Sequence, residues 1–151
     1  MIRRYAVAGG LAVGVVLVDA LTKRWASTEF SDGPLTIIPD FLVFTYTENP
    51  GAAFSMLKDA GPFLGGAAVV VSIALLWAIR VERPLLETAG FGLIIGGALG
   101  NLVDRVSRGP GFLDGKVIDW VDVWWIPTFN VADMSITIAV VLLLMHSWRT
   151  R

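Results

Sequence analysis

The chain contains no cysteine and a single histidine among its 151 residues. The absence of cysteine excludes thiol nucleophiles, disulfide bonds and thiolate metal sites. A zinc site built from several histidines is excluded as well, and we expect no chemical role for His146, near the C-terminus. Because neither Ser55 nor Ser107 has a histidine or an obvious lysine base in reach, a serine mechanism has little support. Any hydrolytic chemistry would therefore rely on carboxylates.

Charge is scarce too, since Asp, Glu, Lys and Arg make up 17% of the residues and the net charge is −1. The chain has no basic run or basic face, so we expect no nucleic acid partner. Hydrophobic residues reach 55%, whereas soluble domains usually contain about 45–50% apolar residues. This composition predicts a small multi-pass membrane protein that forms one domain over residues 1–151.

Long apolar runs are abundant, and a membrane-spanning helix needs about 20 such residues. Four stretches qualify, and we predict helices over approximately residues 5–24, 62–79, 85–104 and 130–148. Arg3 and Arg4 before the first run are also typical of a cleavable signal peptide, but Lys23 and Arg24 end that run abruptly. We therefore predict a retained first helix. Glycines in GGALG, Gly96–Gly100, predict close helix packing.

Four spans place both termini on one side of the membrane. The short segments on that side hold six of the 12 Lys and Arg residues, so the raw count of basic residues is even. The positive-inside rule gives most weight to short flanking segments, and we predict cytoplasmic termini on this basis. The six residues are Arg3, Arg4, Arg80, Arg83, Arg149 and Arg151.

The opposite, outer side receives two longer segments, at about residues 26–61 and 105–128. In the first, alternating residues over Leu35–Glu48 predict a strand, followed by a turn at Asn49–Gly51 and a continuation over Ala52–Leu57. VIDWV, Val117–Val121, is also typical of a strand. We predict a small extracytoplasmic sheet, with Trp120, Trp124 and Trp125 at the level of the lipid headgroups.

Polar residues collect at the outer ends of the predicted helices, although charge in a membrane segment is costly. Within each group the residues are spaced three or four apart, which places them on one helix face, and Asp119 lies in VIDWV. Two carboxylates held close share a proton, so one can act as a base while the other donates. The groups are Asp19 with Lys23, Asn101 with Asp104 and Arg105, and Asn130 with Asp133.

These residues also admit ordinary structural roles. Asp19 and Lys23 suit an interfacial ion pair, Asn130 suits a helix N-cap, and Asp122 suits a solvated loop acid. Two other functions stay open from the residues alone: a small transporter or proton channel that uses the carboxylates as a relay, and an assembly or structural protein. A relay needs ionisable residues throughout the membrane depth, but the second predicted helix contains none.

Five short motifs follow one another along the chain, at the predicted helix ends and in the outer segments. On these motifs, which extend over nearly the whole length, the chain resembles the lipoprotein signal peptidases, the signal peptidase II family of bacterial inner membranes. The motifs are DALTK (Asp19–Lys23), NPGAAF (Asn49–Phe54), GGALGNLVDR (Gly96–Arg105), VIDW (Val117–Trp120) and FNVAD (Phe129–Asp133).

The resemblance implies an aspartyl endopeptidase of the bacterial cytoplasmic membrane, with its active site facing outward. Such an enzyme cleaves prolipoproteins directly before a cysteine that carries diacylglycerol, without a metal or organic cofactor. Its partners would be the lipidated prolipoprotein and membrane lipids, and we expect a monomer.

Carried onto this sequence, the resemblance makes Asp119 and Asp133 the catalytic pair. It implies substrate-binding and supporting roles for a further group of residues, and a structural role for Asp104. Two departures from the usual pattern affect the surroundings: the segment SRGPGFLDGK, Ser107–Lys116, is longer than usual, and Met134 replaces a small hydroxyl residue. The supporting group is Asn49, Gly51, Asn101, Arg105, Asn130, Asp19 and Lys23.

Overall fold

The computed structural model describes residues 1–51 and 60–150 and confirms the four predicted helices. All four are long and apolar enough to cross a membrane. The first helix is longer than expected because Asp19 and Lys23, one turn apart, pair with each other and do not end it. The helices are α1 (Ile2–Glu29), α2 (Gly61–Ala78), α3 (Leu85–Ser107) and α4 (Val131–Arg149).

Helix α3 lies at the centre, and α1, α2 and α4 pack against it. Its glycines allow this, as the motif GGALG predicts. A Cβ added at Gly96 would lie 2.9 Å from the Ala12 backbone of α1, and one added at Gly97 would lie 2.6 Å from Ser135 Oγ of α4. Such close backbone approach lets dispersion forces hold helices together where water provides no driving force.

The outer segments form one antiparallel sheet in the order β1–β2–β3–β4. The single strand predicted over Leu35–Glu48 is in fact two strands. Pro39 and Asp40 separate them in a turn closed by Phe41 N–H and the Ile38 carbonyl at 3.1 Å, and the positive φ of 57° at Asp40 suits an acidic residue in such a turn. The strands are β1 (Leu35–Ile38), β2 (Leu42–Asn49), β3 (Val117–Val123) and β4 (Ile126–Phe129).

An aromatic cluster joins the sheet to the outer end of α1. Trp120 packs edge-to-face on Trp25 and Phe44, with ring centroids 5.4 and 5.2 Å away. Trp120 is 8% exposed and packs inside this cluster, whereas Trp124 is 71% exposed. The position of the three tryptophans at the level of the lipid headgroups stays a prediction. The predicted strand over Ala52–Leu57 lies outside the described residues, as does Ser55.

Candidate active site

A cavity of about 590 Å³ opens where the sheet meets the outer ends of the helices. One end of it is polar and is lined by Asn49, Asn101, Arg105, Asp119 and Asp133. The other end is apolar and lies between α2 and the central helix α3, with further apolar lining from α4. The cavity thus presents carboxylates and amides at one end of an apolar groove, which suits a ligand that has both a peptide and a hydrocarbon part.

Asp119 lies in β3 and is 2% exposed. Strand pairing with Thr47 of β2 positions it, and its two carboxylate oxygens accept hydrogen bonds from different amides. Asn49 Nδ2 donates to Oδ2 at 2.9 Å, and Asn130 Nδ2 donates to Oδ1 at 2.6 Å. Both oxygens are therefore held, and the carboxyl plane is fixed relative to the cavity.

The pKa of Asp119 is raised from 3.8 to about 6. Burial is the largest cause, because it disfavours the charged form, and the nearby charge of Asp133 acts in the same direction. The hydrogen bonds from Asn49 and Asn130 oppose the rise. A carboxyl group with this pKa can hold a proton near neutral pH, which a general acid must do.

Asp133 lies in the first turn of α4, where a carboxylate faces the positive end of the helix dipole. Its Oδ1 accepts from Asn101 Nδ2 at 2.8 Å, and its Oδ2 accepts from the Asn130 backbone N–H at 3.3 Å. Asn130 accepts in return from Asp133 N–H at 3.1 Å, which completes a capping box. The N-cap interpretation of Asn130 is therefore confirmed, and the same residue also contacts both acids.

Lys23 lies at the junction of α1 and α3, almost completely buried. Its ammonium donates its three hydrogens to three acceptors, which satisfies it fully: Asp19 Oδ2 at 2.7 Å, Asp104 Oδ2 at 2.8 Å and Asn101 Oδ1 at 3.0 Å. Asp19 also accepts from the backbone N–H of Ala132 at 2.9 Å, so it ties α1 to α4. The predicted ion pair exists, but it is a buried part of a network that reaches the candidate site.

Arg105 is buried beside the cavity and is held by backbone carbonyls from two loops. Its Nη1 donates to the Gly115 carbonyl at 3.3 Å, and its Nη2 donates to the Gly51 carbonyl at 3.4 Å. Asn49 Oδ1 accepts from the N–H of Gly51 at 3.0 Å, so the turn after β2 is fixed by the same asparagine that contacts Asp119.

Asp119 and Asp133 line one cavity together with four of the predicted supporting residues, Asn49, Gly51, Asn101 and Arg105. The other three, Asn130, Asp19 and Lys23, do not line it and are joined to it by hydrogen bonds. Asp104 accepts from the N–H of Ile118 at 3.3 Å and binds Lys23, which agrees with its predicted structural role. Asp122 lines a different cavity, and His146 lies near Glu87 at 3.7 Å, away from the site. Within the described residues, no group of three or more His, Asp or Glu side chains is arranged to hold a metal ion.

Sequence reasoning missed the apolar wall of the cavity, which contains small side chains. Nothing in their spacing distinguishes small apolar residues that line a groove from those that face lipid, so the sequence carried no sign of this wall. The missed residues from α2 are Leu64, Ala67, Ala68 and Val71.

Comparison with known proteins gives consistent matches over most of the chain. Residues 11–149 match the family model described as signal peptidase (SPase) II. The chain is 44% identical to a lipoprotein signal peptidase of Rhodococcus jostii, over 87% of this chain and 68% of that protein. It is 41% identical to a lipoprotein signal peptidase of Thermosynechococcus vestitus, over 88% of this chain and 85% of that protein.

Solved structures show the same similarity at the level of the fold. A bacterial membrane enzyme determined by the in meso method at 2.3 Å resolution superposes with a TM-score of 0.80. The two chains are 31% identical, and the match covers 94% of this chain and 87% of the other.

Proposed function

The chain belongs to the signal peptidase II family, and on this premise we propose that it works as an aspartic endopeptidase with Asp119 and Asp133 as its catalytic pair. It is a multi-pass membrane hydrolase that cleaves the signal peptide from prolipoproteins. The observation that carries the proposal is that both carboxylates line one cavity and are both hydrogen-bonded to Asn130.

The surroundings of the two acids suggest different roles for them. Asp119 is buried and its pKa is raised to about 6, so it is the better holder of the single proton that two nearby acids share. Asp133 receives two N–H donors and faces the positive end of the α4 dipole, an arrangement that suits a carboxylate acting as a base. We therefore assign Asp119 as the acid and Asp133 as the base for the first step.

In this mechanism Asp133 takes a proton from a water molecule while the water oxygen attacks the carbonyl carbon of the scissile peptide bond. Asp119 gives its proton to the carbonyl oxygen, and a neutral gem-diol forms. The C–N bond then breaks as Asp133 passes its proton to the leaving amide nitrogen and Asp119 takes a proton back from a hydroxyl group. Both acids end in their starting states, so no other proton source is needed.

We place the cut directly before the cysteine that carries diacylglycerol. The polar end of the cavity is then the site of the peptide bond, and the apolar wall of α2 lies beside the lipid part of the substrate. Arg105 and Gly51 are positioned to orient the peptide chain near the acids, because both line the cavity and contact each other. An apolar wall next to a polar end favours a lipidated substrate over a plain peptide.

We further propose that the enzyme is a monomer of the bacterial cytoplasmic membrane, with cytoplasmic termini. The helix ends opposite the cavity carry Arg3, Arg4, Arg80, Arg83 and Arg149, which the positive-inside rule assigns to the cytoplasmic side. The acids then lie at the outer interface, where water can reach them.

The test replaces each acid separately. Asp119→Asn and Asp133→Asn should each lower cleavage of a lipidated prolipoprotein peptide by about 10²-fold or more, the usual contribution of a general acid or base. Asp122→Asn is the matched control, because this acid also lies in β3 but lines another cavity, and it should keep most of the activity. If either variant of the catalytic pair inserts in the membrane and processes its substrate normally, the proposed pair is wrong.

The transporter or proton channel considered above receives no support from the comparisons, whose matches are signal peptidases. The ionisable residues of the candidate site that lie on helices are all near one end of the membrane span. They are Asp19 and Lys23 of α1, Asp104 and Arg105 of α3, and Asp133 of α4. A flux assay in liposomes, run alongside the cleavage assay, would distinguish a transporter or channel from a peptidase.

A further inference from the structure

The loop between α3 and β3, residues 108–116, packs against the outer end of α2. Its central residue, Leu113, is 7% exposed and is seated directly over a glycine of α2. A Cβ added at Gly65 would lie 3.0 Å from Leu113 Cβ and 3.2 and 3.3 Å from its two Cδ atoms. One turn earlier, a Cβ at Gly61 would lie 3.2 Å from the Leu113 carbonyl oxygen. The loop therefore packs so closely on α2 that a side chain at either glycine would force Leu113 or α2 to shift. We call this contact of Leu113 with Gly61 and Gly65 the Leu113 seat.

Leu113 adopts this position in a conformation that leucine rarely adopts. Its φ is 59°, in the left-handed region that disfavours residues with a Cβ. The flanking residues hold it there: Asp114 accepts from the N–H of Gly111 at 3.0 Å, and Gly115 donates to the Arg105 carbonyl at 3.0 Å. Backbone strain of this kind persists only where the surrounding structure imposes it, and it is concentrated at functional sites.

The helix that Leu113 contacts forms one wall of the candidate active site. Leu64, next to Gly65, lines the cavity, and so do Ala67, Ala68 and Val71 farther along α2. The opposite walls come from α3, α4 and the sheet. The position of the outer end of α2 therefore sets the width of the apolar part of the cavity.

We propose that Leu113 is a specificity-determining residue that acts through α2: its seat on Gly65 sets the width of the groove that receives the substrate's acyl chains. This inference rests on the proposed function, which makes the cavity the substrate site. The hydrogen bonds of the catalytic pair run through Asn49, Asn101 and Asn130 and do not include Leu113. A change at the seat should therefore alter substrate binding and selection more than the chemical step.

The first test overfills the seat. Gly65→Ala places a methyl group against Leu113, which forces α2 or Leu113 to shift, and should raise KM for a lipidated prolipoprotein peptide by about ten-fold, as expected for a methyl-sized misfit in an apolar site. The value of kcat should stay close to that of the wild type. Gly66→Ala is the matched control on the same turn of α2, because, apart from the adjoining residues of its own helix, no heavy atom of the described residues lies within 4 Å of its added Cβ.

The second test empties the seat. Leu113→Ala should release the outer end of α2 and reduce the discrimination between peptides with straight and branched acyl chains. Leu113→Asn should do the same, and because asparagine tolerates the left-handed region, it separates loss of the seat from collapse of the loop. The double variant Gly65→Ala with Leu113→Gly should regain much of the wild-type KM, because glycine removes the Cβ and both Cδ atoms that the new methyl group would meet and tolerates the left-handed region.

Three results would overturn the proposal: a Gly65→Ala variant that behaves like Gly66→Ala, a double variant whose effects are simply additive, or a Leu113→Asn variant with wild-type discrimination. A fall in kcat without a change in KM would overturn it as well, since it would place the effect on the chemistry. The activity of Asp119→Asn and Asp133→Asn tests the proposed function separately, because these two variants leave the Leu113 seat intact.

Discussion

Two asparagine amides determine how the carboxylates of the site are arranged. Lys23 donates to Asn101 Oδ1, so the amide nitrogen of Asn101 must face Asp133. The N–H of Asp133 donates to Asn130 Oδ1, so the amide nitrogen of Asn130 must face Asp119. Each amide is thus oriented by a donor at its oxygen, and neither can flip without losing hydrogen bonds at both ends.

The pH dependence of the reaction follows from Asp119. The proposed mechanism needs one proton on the pair, and the pKa of Asp119 is raised to about 6, so kcat/KM should fall as the pH rises above this value. The Asn49 N–H favours the charged carboxylate. Its removal in Asn49→Ala should therefore raise the pKa further and move the alkaline limb of the pH–rate profile to higher pH.

The neighbouring acid Glu48 supplies the control for this measurement. Its carboxylate is exposed and pairs with Lys116 at 2.9 Å, so Glu48→Gln should leave the alkaline limb where it is. A shift of that limb to lower pH in Asn49→Ala would contradict the role given to Asp119.

At the scale of helices, the site depends on how closely α3 and α4 approach. Asn101 and Asp133 lie on these two helices and are joined by a 2.8 Å hydrogen bond. One turn before Asn101, a Cβ added at Gly97 would collide with the Ala132 carbonyl and with Ser135 of α4. The separation of the helices at Gly97 therefore sets the geometry of the hydrogen bond beside it.

Gly97→Ala should push α3 and α4 apart. Overfilling a packed contact costs about 1–3 kcal/mol, so the midpoint of thermal unfolding in detergent should fall, and cleavage activity should fall with it. Gly10→Ala is the control, because, apart from the adjoining residues of its own helix, no heavy atom of the described residues lies within 4 Å of the Cβ that it adds. Equal unfolding midpoints for the two variants would show that the contact at Gly97 is not tight.

The sequence predicted the helices well because apolar length and helix-end residues are local features. It also predicted that the polar groups collect at one end of the helix bundle, since spacing of three or four residues defines a helix face. It could not predict that Lys23 reaches Asn101, or that Leu113 packs on Gly65, because such contacts depend on how distant elements are oriented. The turn at Pro39 and Asp40 was a local signal that β-branched and aromatic neighbours obscured.

At the scale of the whole molecule, the candidate site and most of the helix-end arginines lie at opposite ends of the bundle. The cavity lies beside the sheet, whereas Arg80 and Arg83 lie between α2 and α3 at the far end. This separation gives the molecule a polarity across the membrane that can be tested directly.

The native chain has no cysteine, so a single introduced cysteine reports its own accessibility. Phe112→Cys, at a position 84% exposed in the outer loop, should react with a membrane-impermeant maleimide added to intact spheroplasts. Trp148→Cys, at a position 85% exposed at the opposite end, should react only after permeabilisation. The reverse labelling pattern would invert the proposed orientation, and retained cleavage activity in both variants serves as the control.

The buried pairing of Asp19 with Lys23 has a consequence for biosynthesis. Both residues lie on α1, which leaves the ribosome before α4, and α4 holds the backbone group that completes their network, the N–H of Ala132. During insertion the two opposite charges, one turn apart, can neutralise each other within the nascent helix until its later partners arrive. The ion pair would thus first lower the cost of inserting a charged helix into lipid. In the finished enzyme it would then hold α1 against α4.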